Sequence, residues 1–173
     1  MNDSRVGLAK GCRNALGIPM TVVTRDLRAN ATVADMGEVT WSVDVAVDAG
    51  WYALKGALAD QPCPAESSTN IVIDGQTALV GRTSPGRDIL PQVPLDADTG
   101  VSRRHAQLVV DGDRLTVVDL SSTNGTYVVA PDEEPADATP SLVAGVPREL
   151  HDGDTVYVGA WSRLTVRRSP AGH

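Results

Sequence analysis

The chain has 173 residues, 42% apolar and 21% charged, with a formal net charge of −7. That length suits one ordinary domain with tails and excludes two full ones, and the balance of apolar and charged residues is that of a globular chain. The negative charge argues against nucleic acid as a partner, because duplex binding rests on pairing many phosphates with Lys and Arg.

Phe is absent and aromatics make up 3% of the chain, so the interior has to be built from Val, Leu, Ile and Ala, a composition that favours strands. No apolar run reaches the length of about 18 residues that a membrane span needs, and the opening MNDSRVGLAKGCRN lacks the charged-then-apolar layout of a secretory signal. The expectation is a soluble, cytoplasmic protein with no membrane insertion. Cys12 and Cys63 lie far apart and outside any C-x-x-C pair or metal-ligand spacing with histidine, so both read as reduced thiols, and neither a metal nor a cofactor is expected.

In chain order, residues 5–16 predict a short helix stopped by Gly17, and 18 IPMTVV 23 predicts a strand. Such a helix-strand unit cannot fold alone, so residues 1–39 read as an N-terminal segment, either disordered or the remnant of a preceding α/β domain. In 41 WSVDVAV 47 the residues Trp41, Val43, Val45 and Val47 fall on one face and Ser42 and Asp44 on the other, the two-residue period of a half-buried strand. A Pro- and Ser-rich loop, 60–70, follows, and then 71 IVI 73 and 78 ALV 80 read as strands around a turn at Asp74-Gly75. Further strands are predicted at 105–110, 114–120, 126–129, 155–159 and 163–168, with a hairpin turn at 111 DGD 113. The stretch 131 PDEEPADATPS 141 reads as an acidic, solvated loop. Short strands at close spacing, with no long amphipathic helix after residue 40, predict an all-β sandwich over residues 40–169, with 170–173 as a tail.

Within this acidic chain, 102 SRRH 105 sets two arginines beside a serine and a histidine at the mouth of a strand. Gly81-Arg82 ends an earlier strand, 119 DLSSTNGTYV 128 holds an Asn-Gly turn, and Gly153-Asp154 forms another turn. A phosphorylated Thr or Ser carries close to two negative charges and three acceptor oxygens, so a site for it needs several donors from different directions. Arg82 supplies a permanently charged fork suited to phosphate oxygens, although an exposed arginine also pairs readily with an acid such as Asp88. Ser102 offers a short hydroxyl, Arg103 a second cation, and Arg104 points to the opposite face of the strand. Gly125 is free to take positive φ.

The ordered set 81 GR 82, 102 SRRH 105 and 124 NG 125 resembles the forkhead-associated (FHA) domain, bacterial type, and strand-like sequence extends the likeness from about residue 41 to 168. The resemblance implies a β-sandwich of about eleven strands and a phosphate site made by Arg82, Ser102, Arg103 and Thr123, with Asn124 holding the partner's main chain. It makes His105 a partly buried, non-catalytic brace of the binding loops, supported by Gly81 and Gly125 as backbone-geometry residues. It implies a non-catalytic phosphothreonine-dependent adaptor in Ser/Thr kinase signalling, whose partner is a phosphothreonine-containing protein, a kinase or its substrate. Residues around Val101 and from Thr126 to Val128 are candidates for reading the partner's side chains. Two rivals stand beside this. Ser102, His105 and Asp119 would have to form a hydrolase triad, without a G-x-S-x-G elbow or an α/β scaffold; or the sandwich binds a partner, or itself, independently of phosphorylation through exposed residues such as Trp51 or Trp161.

Overall fold

The computed structural model describes residues 39–170. The helix and strand expected within residues 1–39, at 5–16 and 18–23, lie outside the described residues. Among the described residues ten strands, where about eleven are expected, run as β1 (Val39–Val47), β2 (Ser68–Val72), β3 (Thr77–Gly81), β4 (Val93–Pro94), β5 (Ala106–Asp111), β6 (Arg114–Asp119), β7 (Thr126–Val129), β8 (Arg148–Leu150), β9 (Thr155–Val158) and β10 (Ser162–Pro170). A seven-residue helix, α1 (Ala49–Lys55), and a 3-10 turn at Gly56–Leu58 lie between β1 and β2.

The strands make two five-stranded sheets, ordered β2-β1-β10-β9-β7 and β4-β3-β5-β6-β8. β1 and β10 form the longest pair, antiparallel from Val39 opposite Pro170 to Val47 opposite Ser162. Trp41 and Val43 are buried as the alternation predicts, whereas Val45 and Val47 are only half-buried. Between the sheets lies a core of Val, Leu, Ile and Ala with Trp41, including Val80, Leu108, Leu115, Val117, Leu164 and Val166. With no Phe available, β-branched side chains fill the space between two pleated surfaces.

Two predicted turns fare differently. The hairpin of β5 and β6 turns at Gly112-Asp113, with Asp111 opposite Arg114 and Gly112 at φ 61°. Asp74-Gly75, read as a turn between neighbouring strands, instead carries the chain from β2 in one sheet to β3 in the other. The alternation on either side of a turn is the same for a hairpin and for a crossover between sheets, so sequence alone does not separate them.

α1 is short and buries only Trp51, so it leaves no helical period to detect. The Asp48 carboxylate accepts the Trp51 N–H at 2.7 Å, a side-chain cap on an otherwise unpaired donor. Trp51 is 0% exposed, donates its indole N–H to the Gly159 carbonyl at 3.1 Å, and packs on Tyr127 and Tyr157 with ring centroids 4.9 Å away in each case. Trp161 is also buried. The two tryptophans considered as an exposed docking surface therefore belong to the interior. The acidic loop is exposed over nearly all of residues 131–141, as predicted. Among the described residues no helix is long and apolar enough to cross a membrane.

Candidate functional site

β3 runs antiparallel to β5, and β5 to β6, with Val80 opposite Ala106 and Ala106 opposite Asp119. The segments that leave β3, enter β5 and leave β6 are therefore brought to one end of the sheet. They enclose an open cavity of about 580 Å³ lined by Ala57, Leu58, Arg82, Thr99, Gly100, Val101, Ser102, Arg103, Thr123 and Asn124. All five residues expected to contact a ligand, namely Arg82, Ser102, Arg103, Thr123 and Asn124, lie on this lining.

Gly81 makes the convergence sterically possible. A Cβ at Gly81 would lie 2.1 Å from the Arg103 carbonyl oxygen, well inside contact distance, so only glycine lets the 102–104 loop close on β3. The loop is then tied to β3 by Arg82 N–H donating to the Ser102 carbonyl at 3.3 Å and His105 N–H to the Val80 carbonyl at 3.0 Å. Arg82 donates Nε–H to the Val101 carbonyl at 2.6 Å, which fixes the guanidinium plane. The expected alternative, an ion pair of Arg82 with Asp88, is not among the ion pairs of the described residues. Arg103 and Arg104 are exposed, and of the two only Arg103 lines the cavity.

Ser102 and Thr123 interlock. The Thr123 N–H donates to Ser102 Oγ at 3.1 Å, and the Ser102 hydroxyl reaches Thr123 Oγ1 at 3.4 Å. Asn124 donates a side-chain N–H to the Gly100 carbonyl at 2.7 Å, and its own carbonyl accepts the Tyr127 hydroxyl at 3.2 Å. An amide side chain has two N–H donors and one carbonyl acceptor, so the Gly100 bond orients Asn124 and leaves hydrogen-bonding capacity over.

His105 is 0% exposed, more deeply buried than the sequence reading holds. Its Nδ1 accepts the Ser102 N–H and its Nε2 lies against the Gly125 carbonyl, each at 3.0 Å. That pairing sets the tautomer, with the proton on Nε2 and a neutral ring. Burial pushes the imidazole pKa below its ordinary value, more strongly than the Gly125 carbonyl and the Asp119 and Asp98 charges push it up. One side chain thus ties the loop before β5 to the loop before β7, where Gly125 has φ +81°.

The same bonds disassemble the hydrolase alternative. Nδ1 is occupied by a backbone N–H, Ser102 Oγ is engaged with Thr123, and the Asp119 carboxylate accepts Ser122 N–H, Ser122 Oγ–H and Thr126 Oγ1–H instead of orienting the imidazole. Burial raises the Asp119 pKa, but these donors together outweigh it and hold the carboxyl below the usual carboxylate range. Its role is to shape the turn around Ser121, which takes φ 58°.

Several residues of the site were missed in the sequence. Asp98 is 1% exposed; its carboxylate accepts the backbone N–H groups of Gly100, Ala160, Trp161 and Ser162 and the Ser162 hydroxyl, over 2.8 to 3.1 Å. It fastens the cavity floor at Gly100 to the β9–β10 turn, and nothing in the local pattern DADTG marks it. Thr99, Ala57 and Leu58 are also on the wall. The proposed side-chain readers Thr126 to Val128 are not: Thr126 is fully buried and Val128 packs on the core, while Val101, itself buried, borders the cavity. Among the described residues no cluster of His, Cys, Asp and Glu is suited to hold a metal.

Comparison with known proteins meets this geometry. The family model of the FHA domain matches residues 78–159. The glycogen accumulation regulator GarA of Mycolicibacterium smegmatis is 37% identical over 104 residues, 60% of this chain and 54% of that protein. The oxoglutarate dehydrogenase inhibitor of Corynebacterium jeikeium is 36% identical over 93 residues, 54% of this chain and 52% of that protein. The chain thus spans about half the length of these curated relatives. Among solved structures, full-length yeast Pml1p superposes with a TM-score of 0.51 at 15% identity, covering 76% of this chain and 83% of that one, a likeness of fold.

Proposed function

We propose that this chain, which carries an FHA domain, is a non-catalytic adaptor that binds a phosphothreonine-containing protein downstream of a Ser/Thr kinase. The observation that carries the reading is the convergence of Arg82, Ser102, Arg103 and Thr123 on one open cavity, in a chain of net charge −7. An acidic protein keeps a cationic, donor-lined rim where a single dianion has to be held, because a general attraction for anions is absent elsewhere. In this reading Arg82 and Arg103 supply charge, Ser102 and Thr123 supply hydroxyl donors released from their mutual bond, and Asn124 takes the partner's main chain. Gly81, His105 and Gly125 hold the loops.

The names of the relatives, a dehydrogenase inhibitor and a regulator of glycogen accumulation, support a regulatory role in which a metabolic enzyme or the kinase itself is the phosphorylated or captured partner. The adaptor occupies residues 40–169 and works in the cytoplasm. The rival, a scaffold indifferent to phosphorylation, loses its anchors because Trp51 and Trp161 are interior residues.

Two or three charge-assisted hydrogen bonds at about 1.5–3 kcal/mol each separate phosphorylated from bare peptide by roughly two to six orders of magnitude. Fluorescence polarisation with a phosphothreonine peptide library and its unphosphorylated twin measures that ratio. Arg82→Ala is expected to reduce the phosphopeptide affinity about 10- to 100-fold, one charge-assisted bond. Equal binding of the two libraries by the unmutated chain would refute the proposal.

A further inference from the structure

Each sheet of a sandwich ends in two edge strands, whose outward N–H and C=O groups stand open to another chain unless something blunts them. Among the described residues, three of the four edges are blunted. β4 is two residues long and one of them is Pro94; β8 is three residues long and exposes Arg148 and Glu149. β7 is covered by the segment that follows it, through Leu142 N–H donating to the Thr126 carbonyl at 2.8 Å and a bridge between Tyr127 and Ser141. β2, STNIV, is different: it has five residues, four of them exposed, with neither a charge nor a proline.

The ladder with β1 fixes which groups of β2 are free. The Ser67 carbonyl accepts the Val47 N–H at 3.2 Å, and the Ile73 N–H donates to the Trp41 carbonyl at 2.9 Å. In an antiparallel ladder alternate residues bond the neighbour, so Thr69 and Ile71 also face β1, and the N–H and C=O groups of Ser68, Asn70 and Val72 point away from it. No other strand of the described residues lies on that side. Thr69 stands opposite Val45, which packs against the core, and beside it, between β2 and β4, is a cavity of about 250 Å³ lined in part by Val45, Val47, Thr69, Leu95 and Trp161. It has room for an aliphatic side chain. Glu66 and Asp74, both exposed, stand just beyond the two ends of the strand.

We propose that the free edge of β2 is a docking site for an extended segment of a partner protein, which adds a sixth strand to the sheet, sets an aliphatic side chain in the cavity beside Thr69, and carries Lys or Arg at its ends to meet Glu66 and Asp74. Main-chain hydrogen bonds hold such a strand, and its alternate side chains select it. Charge decides against a second copy of this chain as the occupant. In the antiparallel register that opposes Ser68, Asn70 and Val72 to the same three residues of a copy, Glu66 falls against the copy's Asp74 at both ends, in chains that each carry −7. The lining of this cavity shares no residue with that of the phosphate cavity, so the proposal stands independently of the phosphothreonine reading. A chain with both sites bridges two proteins.

The test uses the full chain and a blocked synthetic peptide in which Thr and Val alternate between terminal lysines, with a twin that has glutamates at its ends. Amide hydrogen exchange followed by NMR is expected to show the Lys-ended peptide slowing exchange at Ser68, Asn70 and Val72, while Thr69 and Ile71, already bonded to β1, do not change. By fluorescence polarisation at low salt the Glu-ended twin is expected to bind about tenfold more weakly. Val72→Pro removes one outward N–H, a change that an edge strand tolerates, and is expected to weaken the Lys-ended peptide about tenfold. Glu66→Lys combined with Asp74→Lys leaves the strand itself unaltered and is expected to reverse the preference between the twins, so it carries the test if Val72→Pro does not melt as a folded chain. Unchanged affinity in folded Val72→Pro, no slowing of exchange by the Lys-ended peptide, or slowing that falls on other amides overturns the proposal. So does sedimentation of the unmutated chain as a dimer that Val72→Pro returns to monomer, because the edge then belongs to a second copy.

Discussion

Replacing His105 by alanine tests the architecture of the site independently of any ligand. The imidazole is fully buried and bonded at both nitrogens, to Ser102 N–H and to the Gly125 carbonyl, at 3.0 Å each. Each backbone group orphaned by its removal costs about 1–3 kcal/mol; water entering from the cavity mouth relieves Ser102 in part, so a total of about 2–4 kcal/mol is expected. Against a domain stability of about 5–15 kcal/mol this is large, and for a domain of this size it lowers the melting temperature by about 10 °C. Circular dichroism melting at about pH 7.5 reads it directly, and a variant melting within about 2 °C of the unmutated chain would refute the bracing role. Acid adds a second reading with a fixed sign. Burial depresses the His105 pKa, so between that value and the ordinary one near 6.5 the unfolded chain binds a proton that the folded chain does not. His105 stabilisation is complete above about pH 6.5 and shrinks as pH falls through this window. The stability gap between the unmutated chain and His105→Ala must therefore narrow on acidification, and a gap that widens would contradict the neutral, doubly bonded ring.

Asp98→Ala leaves four backbone N–H groups and the Ser162 hydroxyl without their shared acceptor; about 3–5 kcal/mol of stability is expected to go, well below a simple sum because one carboxylate serves all five donors. Urea unfolding checks it, with Asp98→Asn expected to lose less because one acceptor oxygen remains. Gly81→Ala places a methyl 2.1 Å from the Arg103 carbonyl, so the 102–104 loop has to retreat, at about 1–3 kcal/mol. Phosphopeptide titration should show weakened binding even though no ligand-facing side chain has changed.

The strands were legible because pleated strands against a core force an alternation that survives in any one sequence: Trp41, Val43, and the runs that became β5, β6 and β10 all show it. The rim motif was legible for a related reason, since Gly81, the serine-to-histidine spacing of 102–105 and Asn124-Gly125 are local requirements of tight loops. The depth of His105 and the partners of its two nitrogens were not, because the Gly125 carbonyl is twenty residues away.

What only the tertiary structure decided is everything that depends on contact across long sequence separations. The assignment of β2 and β3 to different sheets follows from hydrogen bonds to β1 and β5, not from the turn between them. Asp98 reads as one more acid in a polar loop until Ser162, 64 residues on, delivers its N–H to it. Nothing in the sequence singles out Ala57 and Leu58, which folding sets on the same cavity wall as Gly100 and Asn124. Periodicity records which face of a segment is buried. It does not record which distant segment buries it, because the chain's own pattern is indifferent to the identity of its neighbour and only closure of the sandwich chooses one.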